Sequence, residues 1–184
     1  MSEPSFTVGS PSDELSRAVA LAWRDDLLAL GWPGVEEITL RLEKTELSLG
    51  ATLADLRRSN RILGVWSAAL DDYVFPDFQF IADRVHPRVA PLLHILAGSP
   101  DMTADVDRGG WQRAFWLYQP NLELSEQSLA AGHGRLGAKF DLMDSFHLRR
   151  LAAINDQART PAEIFQLHPE RVLAFALDTI FPME

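Results

Sequence analysis

Cysteine is missing altogether from this sequence of 184 residues. Its absence excludes disulfide bonds and thiolate metal sites and fits a reducing compartment. No apolar run reaches the roughly 20 residues that a membrane-spanning helix needs, and the opening MSEPSFTVGSPSDE carries no basic, apolar leader. A cytoplasmic protein without a membrane partner is therefore expected. Positive charge is scarce: 17 Lys and Arg against 26 Asp and Glu leave a net charge of −9. That balance argues against nucleic-acid binding by the whole surface, although it leaves room for a local basic patch. The histidines at 86, 94, 133, 147 and 168 are scattered, none in HExxH or a comparable ligand spacing, so no metal is expected. There is no G-x-S-x-G elbow and no cysteine nucleophile. Asp25-Asp26 and Asp71-Asp72 fit solvated faces. No catalytic constellation emerges, so neither an enzyme nor a cofactor is expected.

What is present is an ordinary globular composition, 47% apolar and 23% charged, in a chain long enough to bury a core as one domain or two small ones. The richest stretch is WQRAFWLYQPN, Trp111–Asn121. Trp111, Ala114, Phe115 and Tyr118 recur at i, i+3, i+4 and i+7, one face of an α-helix. Trp116 and Leu117 make the other side apolar too, and Pro120 ends the helix by removing a donor and restricting Gln119. Such a helix is either packed inside a core or shares an aromatic face with a partner.

Upstream, Met1–Pro11 has the Ser, Pro and Gly content of a loose tail. Ser12 is a candidate N-cap for a helix whose stripe runs Leu15, Ala18, Val19, Ala22, Trp23, Leu27 and Leu30 and stops at Gly31. Val35–Leu47 suits a helix through Val35, Ile38 and Leu42, although Ile38, Leu40 and Leu42 also alternate as in a strand; helix is the preferred assignment. Thr52 can cap a short helix, LADLRRSN, with Leu53 and Leu56 inward. Ile62–Trp66 and Tyr73–Phe75 are β-prone runs joined by SAALDD, a hairpin that Pro76 closes. Helix, turn, helix and hairpin is the order of a winged helix-turn-helix. Arg57, Arg58 and Arg61 would then face phosphates, and Asn60 a base edge. The same order also describes a structural module with a solvated arginine cluster. Acidic and basic residues balance from Val35 to Trp66, and Asp71 and Asp72 on the wing would repel phosphate.

Further on, His86-Pro87 opens a helix with the stripe Val89, Leu92, Leu93 and Leu96, closed by Gly98. SPDMTADVDRGG is an acidic loop. Short helices are expected over Leu124–Ala131 and from Asp144 or Ser145 to Ala158. Thr160-Pro161-Ala162-Glu163 spells an N-cap, a proline in the first turn and the acid of a capping box. PERVLAFALDTI then forms a last helix, with Val172, Leu173, Phe175 (or Ala176) and Ile180 apolar. Gly132–Gly137 spells G-x-G-x-x-G, but no strand precedes it, so a loop is expected rather than a dinucleotide site. The expected fold is mainly α: a tail (1–11), a degenerate winged helix-turn-helix-like module with one small hairpin (12–80), and a helical domain (81–184).

Three blocks together resemble a known family. RILGVWSAALDDYVFPDFQF (Arg61–Phe80), WQRAFWLYQPN and RTPAEIFQLHPERVLAFA (Arg159–Ala176) are similar, in this order, to stretches of bacterial antitoxins of the MbcA/ParS/Xre group. The resemblance implies a toxin-binding domain over residues 81–184 whose partner is a RES-domain toxin, an NAD-consuming protein, with the antitoxin covering the toxin's active-site cleft. Binding of its own operator DNA often accompanies that role. By position, the resemblance implies toxin contacts at Trp111, Trp116, Tyr118, Asn121, Arg159, Pro161, Glu163 and the C-terminal helix with Phe181. The helix-turn-helix order, rather than the resemblance, places candidate operator contacts at Arg57, Arg58, Asn60 and Arg61, and a homo-oligomer is expected. One departure stands out. The second and third blocks nearly adjoin in the family, whereas Leu122–Ala158 separates them here. A DNA-binding regulator without a toxin partner is the alternative.

Overall fold

The computed structural model describes residues 11–45, 47, 51–124 and 158–182. Residues 1–10, the G-x-G-x-x-G run and nearly all of both helices expected between Leu124 and Ala158 lie outside the described residues.

The first helix, α1 (Pro11–Leu28), starts one residue earlier than its candidate cap, so Ser12 lies inside the first turn. Proline suits that position because its missing N–H has no intrahelical acceptor. Gly31, in the left-handed region at φ 73°, ends the segment. Trp23 and Leu27 are buried, but Leu15 and Leu30 remain more than half exposed, and Ala18 and Ala22 are exposed as well. The expected stripe is thus covered over only part of its length. A mismatch of lengths accounts for the exposed N-terminal turns, though not for Ala22 or Leu30. Trp23 stacks on Phe115 at 4.6 Å and the Arg24 guanidinium lies 5.0 Å above the Trp111 ring. Both partners belong to a helix of eight residues, whereas α1 has eighteen. At about 1.5 Å per residue the longer helix overhangs.

Residues 35–42 form α2 (Val35–Leu42), so the helical assignment holds there and the helix stops five residues before Leu47. Next, α3 (Leu53–Arg58) begins with a reciprocal capping box. Thr52 Oγ1 accepts from the Asp55 N–H at 3.1 Å, and Asp55 Oδ2 accepts from the Thr52 N–H at 3.0 Å. The Thr52 hydroxyl and N–H together hold the Asp55 carboxyl below its usual pKa range. The hairpin follows as β1 (Val65–Ser67) and β2 (Asp72–Val74), antiparallel, with Trp66 opposite Tyr73. Its edges are covered, since the Trp66 N–H donates to the Gly109 carbonyl and the Phe75 N–H to that of Pro33, each at 2.9 Å. A second hairpin, β3 (Phe80–Ile81) with β4 (Arg84–Val85), corrects the expectation of only one. Two residues per strand are too few to leave a period-two signal.

Four helices complete the described fold: α4 (Val89–Leu96), α5 (Trp111–Tyr118), α6 (Pro161–Phe165) and α7 (Pro169–Ile180). All four residues of the α4 stripe are fully buried, and α4 packs against α7. A large core joins Trp23, Leu27 and Trp32 to the buried faces of these helices, while a smaller one collects Ile38, Leu42, Leu53, Leu56, Ile62, Phe75 and Phe80. So α1, grouped by sequence order with the N-terminal module, packs into the core of the C-terminal helices. The β1–β2 hairpin is the seam. Val65 and Val74 face the large core and Phe75 the small one.

Gly110 marks the closest backbone approach in this seam. It caps α5 at φ 72°, and a Cβ there would stand 2.3 Å from the Gly64 carbonyl oxygen. Gly110→Ala is expected to cost about 1–2 kcal/mol from the left-handed backbone alone, with the clash adding to it. Gly34→Ala, where a Cβ meets nothing within 4 Å and φ is −85°, should change the urea midpoint little. Equal midpoints for the two variants would contradict this account.

Candidate functional site

The three sequence blocks converge on one phenylalanine. Phe78, from the first block, meets the Tyr118 ring of the second edge-on at 6.4 Å and the Phe165 ring of the third at 5.5 Å. Such perpendicular contacts suit the aromatic quadrupoles. The neighbouring Gln79 is fully buried and behaves like a strand residue through its side chain. Its Oε1 accepts from the Leu63 N–H at 2.7 Å, and its Nε2 donates to the Leu63 carbonyl at 2.8 Å and the Pro76 carbonyl at 3.0 Å. Every polar atom of the amide is thereby used, which makes the burial tolerable.

The second and third blocks meet through the backbone. Asn121 and Arg159 form an isolated antiparallel bridge: the Asn121 N–H donates to the Arg159 carbonyl at 2.9 Å, and the Arg159 N–H to that of Asn121 at 3.4 Å. The chain therefore leaves and re-enters at one point, whatever lies between Leu124 and Ala158. The third block restarts at once, because Thr160 and Glu163 form the expected capping box, with Thr160 Oγ1 accepting from the Glu163 N–H at 3.1 Å and Glu163 Oε2 from the Thr160 N–H at 2.8 Å.

These positions divide the expected toxin contacts. Trp111 is a core residue: its Nε1 donates to the Trp66 carbonyl at 3.0 Å and its ring lies against Phe115. Pro161 is buried as well, and Glu163, although exposed, uses its carboxylate to cap α6. Trp116, Tyr118, Asn121 and Arg159 are half-buried. Trp116 stacks on Phe175 at 5.5 Å, and Tyr118 lies against Trp32, where burial pushes its phenol above the ordinary range. Phe181, at the end of α7, is 51% exposed and is the one aromatic residue of the set that is exposed.

The residues expected to read DNA are largely engaged inside the molecule. The Arg57 guanidinium lies 3.8 Å above the Tyr73 ring, and Arg58 pairs with Asp55 at 2.5 Å. Asn60 ends α3 in the left-handed region at φ 52° and accepts from Arg113 Nη1 at 3.1 Å, so it does not offer its amide oxygen to a base. Arg61 is exposed. A tertiary partner outside the motif, not the motif itself, decides the orientation of Asn60.

That partner belongs to a network that sequence reasoning missed. Asp107 and Arg113 form an ion pair at 2.9 Å with side chains 3% and 6% exposed. Asp107 also accepts from the backbone N–H groups of Gln112 at 3.0 Å and Arg113 at 3.2 Å, serving the first turn of α5, and Arg113 Nη2 donates to the Asp107 carbonyl. An arginine amid the apolar run WQRAFW was the available signal. Among the described residues, no group of three or more acidic or histidine side chains could hold a metal ion, and no helix is long and apolar enough to cross a membrane.

His86 adds a titratable contact beside this junction. It is 7% exposed, packs on Phe165 at 4.9 Å, and its Nδ1 accepts from the Arg88 N–H at 3.0 Å. Burial first, and the Arg88 charge second, hold its pKa below the ordinary 6.5. Because the folded value is the lower one, the neutral ring contributes its full stability above about pH 6.5, and that contribution is lost as the pH falls through the folded value. The urea midpoint should thus fall between about pH 7.5 and 5.5, and less steeply in His86→Phe. Equal slopes would remove His86 as the cause.

No family model, no curated protein and no solved structure matches this chain.

Proposed function

We propose that this chain is an antitoxin-like protein that binds a toxin of the RES-domain, NAD-consuming type and neutralises it by covering the active-site cleft. The observation that supports this most is the Asn121–Arg159 bridge, taken with Phe78 between Tyr118 and Phe165. The three blocks that resemble the antitoxin family make up one connected body, even though 37 residues separate two of them in the sequence (Leu122–Ala158). Stability and contact divide within that body. Trp111 and Pro161 hold the fold, whereas the exposed Phe181 and the half-buried Trp116, Tyr118 and Asn121 border the surface on which a partner would dock.

Co-production with a RES-domain toxin encoded beside it tests the proposal. The expected result is a complex that survives size-exclusion chromatography and stops NAD consumption. Phe181→Ala should weaken that complex at least tenfold, about 1.4 kcal/mol, and lower the melting temperature of the free protein only slightly. A chain that captures no such toxin and leaves NAD consumption intact refutes the proposal.

A further inference from the structure

A cleft of about 360 Å³ lies between the C-terminal end of α2 and the turn of the second hairpin. Its two walls are held together by hydrogen bonds from one to the other. Arg41 Nε donates to the Ala82 carbonyl at 2.8 Å and Thr45 Oγ1 to the Asp83 carbonyl at 2.9 Å. Arg41 is further anchored over the Phe80 ring and lies 3.9 Å from Asp77. Each wall then contributes one cation: Lys44 follows α2, and Arg84 stands on β4. Both side chains are exposed, and among the described residues neither is in an ion pair.

Among the described residues the lining carries Lys44 and Arg84, together with Arg41 that already faces Asp77, against one lining carboxylate, Asp83, on a chain whose net charge is −9. Complementing the α2 dipole accounts for only part of this. The Leu42 carbonyl already accepts from the N–H groups of Thr45 and Leu47, and Arg84 is not on the helix. Two cations on walls held in place, with the apolar Leu40 and Ala82 beside them, suit a ligand with an anionic end and a less polar body. We propose that this cleft is an oxyanion site for a small phosphate-bearing molecule, held between Lys44 and Arg84. The site is separate from the Phe78 junction and does not rest on the antitoxin proposal.

Titration of the full chain with pyrophosphate and with AMP at low salt, followed by heteronuclear NMR, tests it. The expected result is saturable shift changes confined to residues 40–45 and 82–84, weakened by added salt. The double variant Lys44→Ala/Arg84→Ala should bind at least tenfold more weakly while melting like the parent. Absence of saturable binding overturns the proposal, as does a double variant that binds like the parent. Shifts produced by duplex DNA but by neither small anion also overturn it, because the cleft would then be a contact for a nucleic-acid backbone.

Discussion

Asp107→Ala is expected to cost about 3–5 kcal/mol, because it leaves the Arg113 guanidinium buried without its counter-charge. The side chain of Arg113 is 6% exposed, and its remaining acceptors are the Asn60 amide oxygen and the Asp107 carbonyl. Neither carries a full negative charge. The substitution also strips two backbone N–H groups in the first turn of α5 of their acceptor. A domain of this size is stable by about 5–15 kcal/mol, so the loss should be plain in a urea titration. Asp107→Asn, which keeps the shape and one acceptor, should fall between parent and alanine variant. Removing both charges with Asp107→Ala/Arg113→Met should cost less than the sum of the single changes, since no orphan charge remains. A loss below about 1 kcal/mol for Asp107→Ala would mean that water reaches Arg113.

Trp111→Ala should cost a similar amount, about 3–5 kcal/mol. The indole is wedged between the Arg24 guanidinium and Phe115 and ties α5 to β1 through the Trp66 carbonyl. Trp111→Phe retains most of the packing and forfeits the hydrogen bond, a loss of about 1 kcal/mol. The contrast with Phe181 is the informative part. Phe181 caps α7 through its backbone N–H, which alanine keeps, and its half-exposed ring lies over Gly98, so its truncation should cost about 1 kcal/mol or less. Calorimetric melting of Trp111→Ala and Phe181→Ala should therefore separate widely, in the order opposite to their effect on partner capture. Near-equal melting temperatures would undo the division of the aromatic residues into core and contact.

Several elements of the fold were legible because their causes are local. Thr52 and Thr160 each announce a helix start; the box expected at Thr160 closes with Glu163, and the Thr52 cap is completed by Asp55 as well. The α4 stripe and the stop at Pro120 need only periodicity and proline stereochemistry. The aromatic helix is covered on most sides, as its all-round apolar pattern suggests: five of its eight residues are buried, Trp116 and Tyr118 are half-buried, and Gln112 is exposed. The second hairpin was invisible because its strands are two residues long. The exposed start of α1 could not be foreseen, since amphipathicity says which face of a helix seeks cover and not how long its neighbour is.

The candidate site divides along the same line. Residue type marked WQRAFWLYQPN as the richest stretch, while FPDFQF stood out only through the resemblance. The tasks of the individual side chains came from contacts that span dozens of residues: Asn60 with Arg113, Gln79 with Leu63, Phe78 with Phe165.

Local chemistry in the sequence thus determined a mainly helical chain, with its caps, its stops and a cysteine-free composition. Only the tertiary structure decided which tryptophan is core, which arginines are occupied, and that Asn121 and Arg159 are neighbours. The physical reason is that caps and turns are set by atoms within one helical turn. The availability of a side chain depends instead on what the rest of the chain brings against it, and no period or spacing records that.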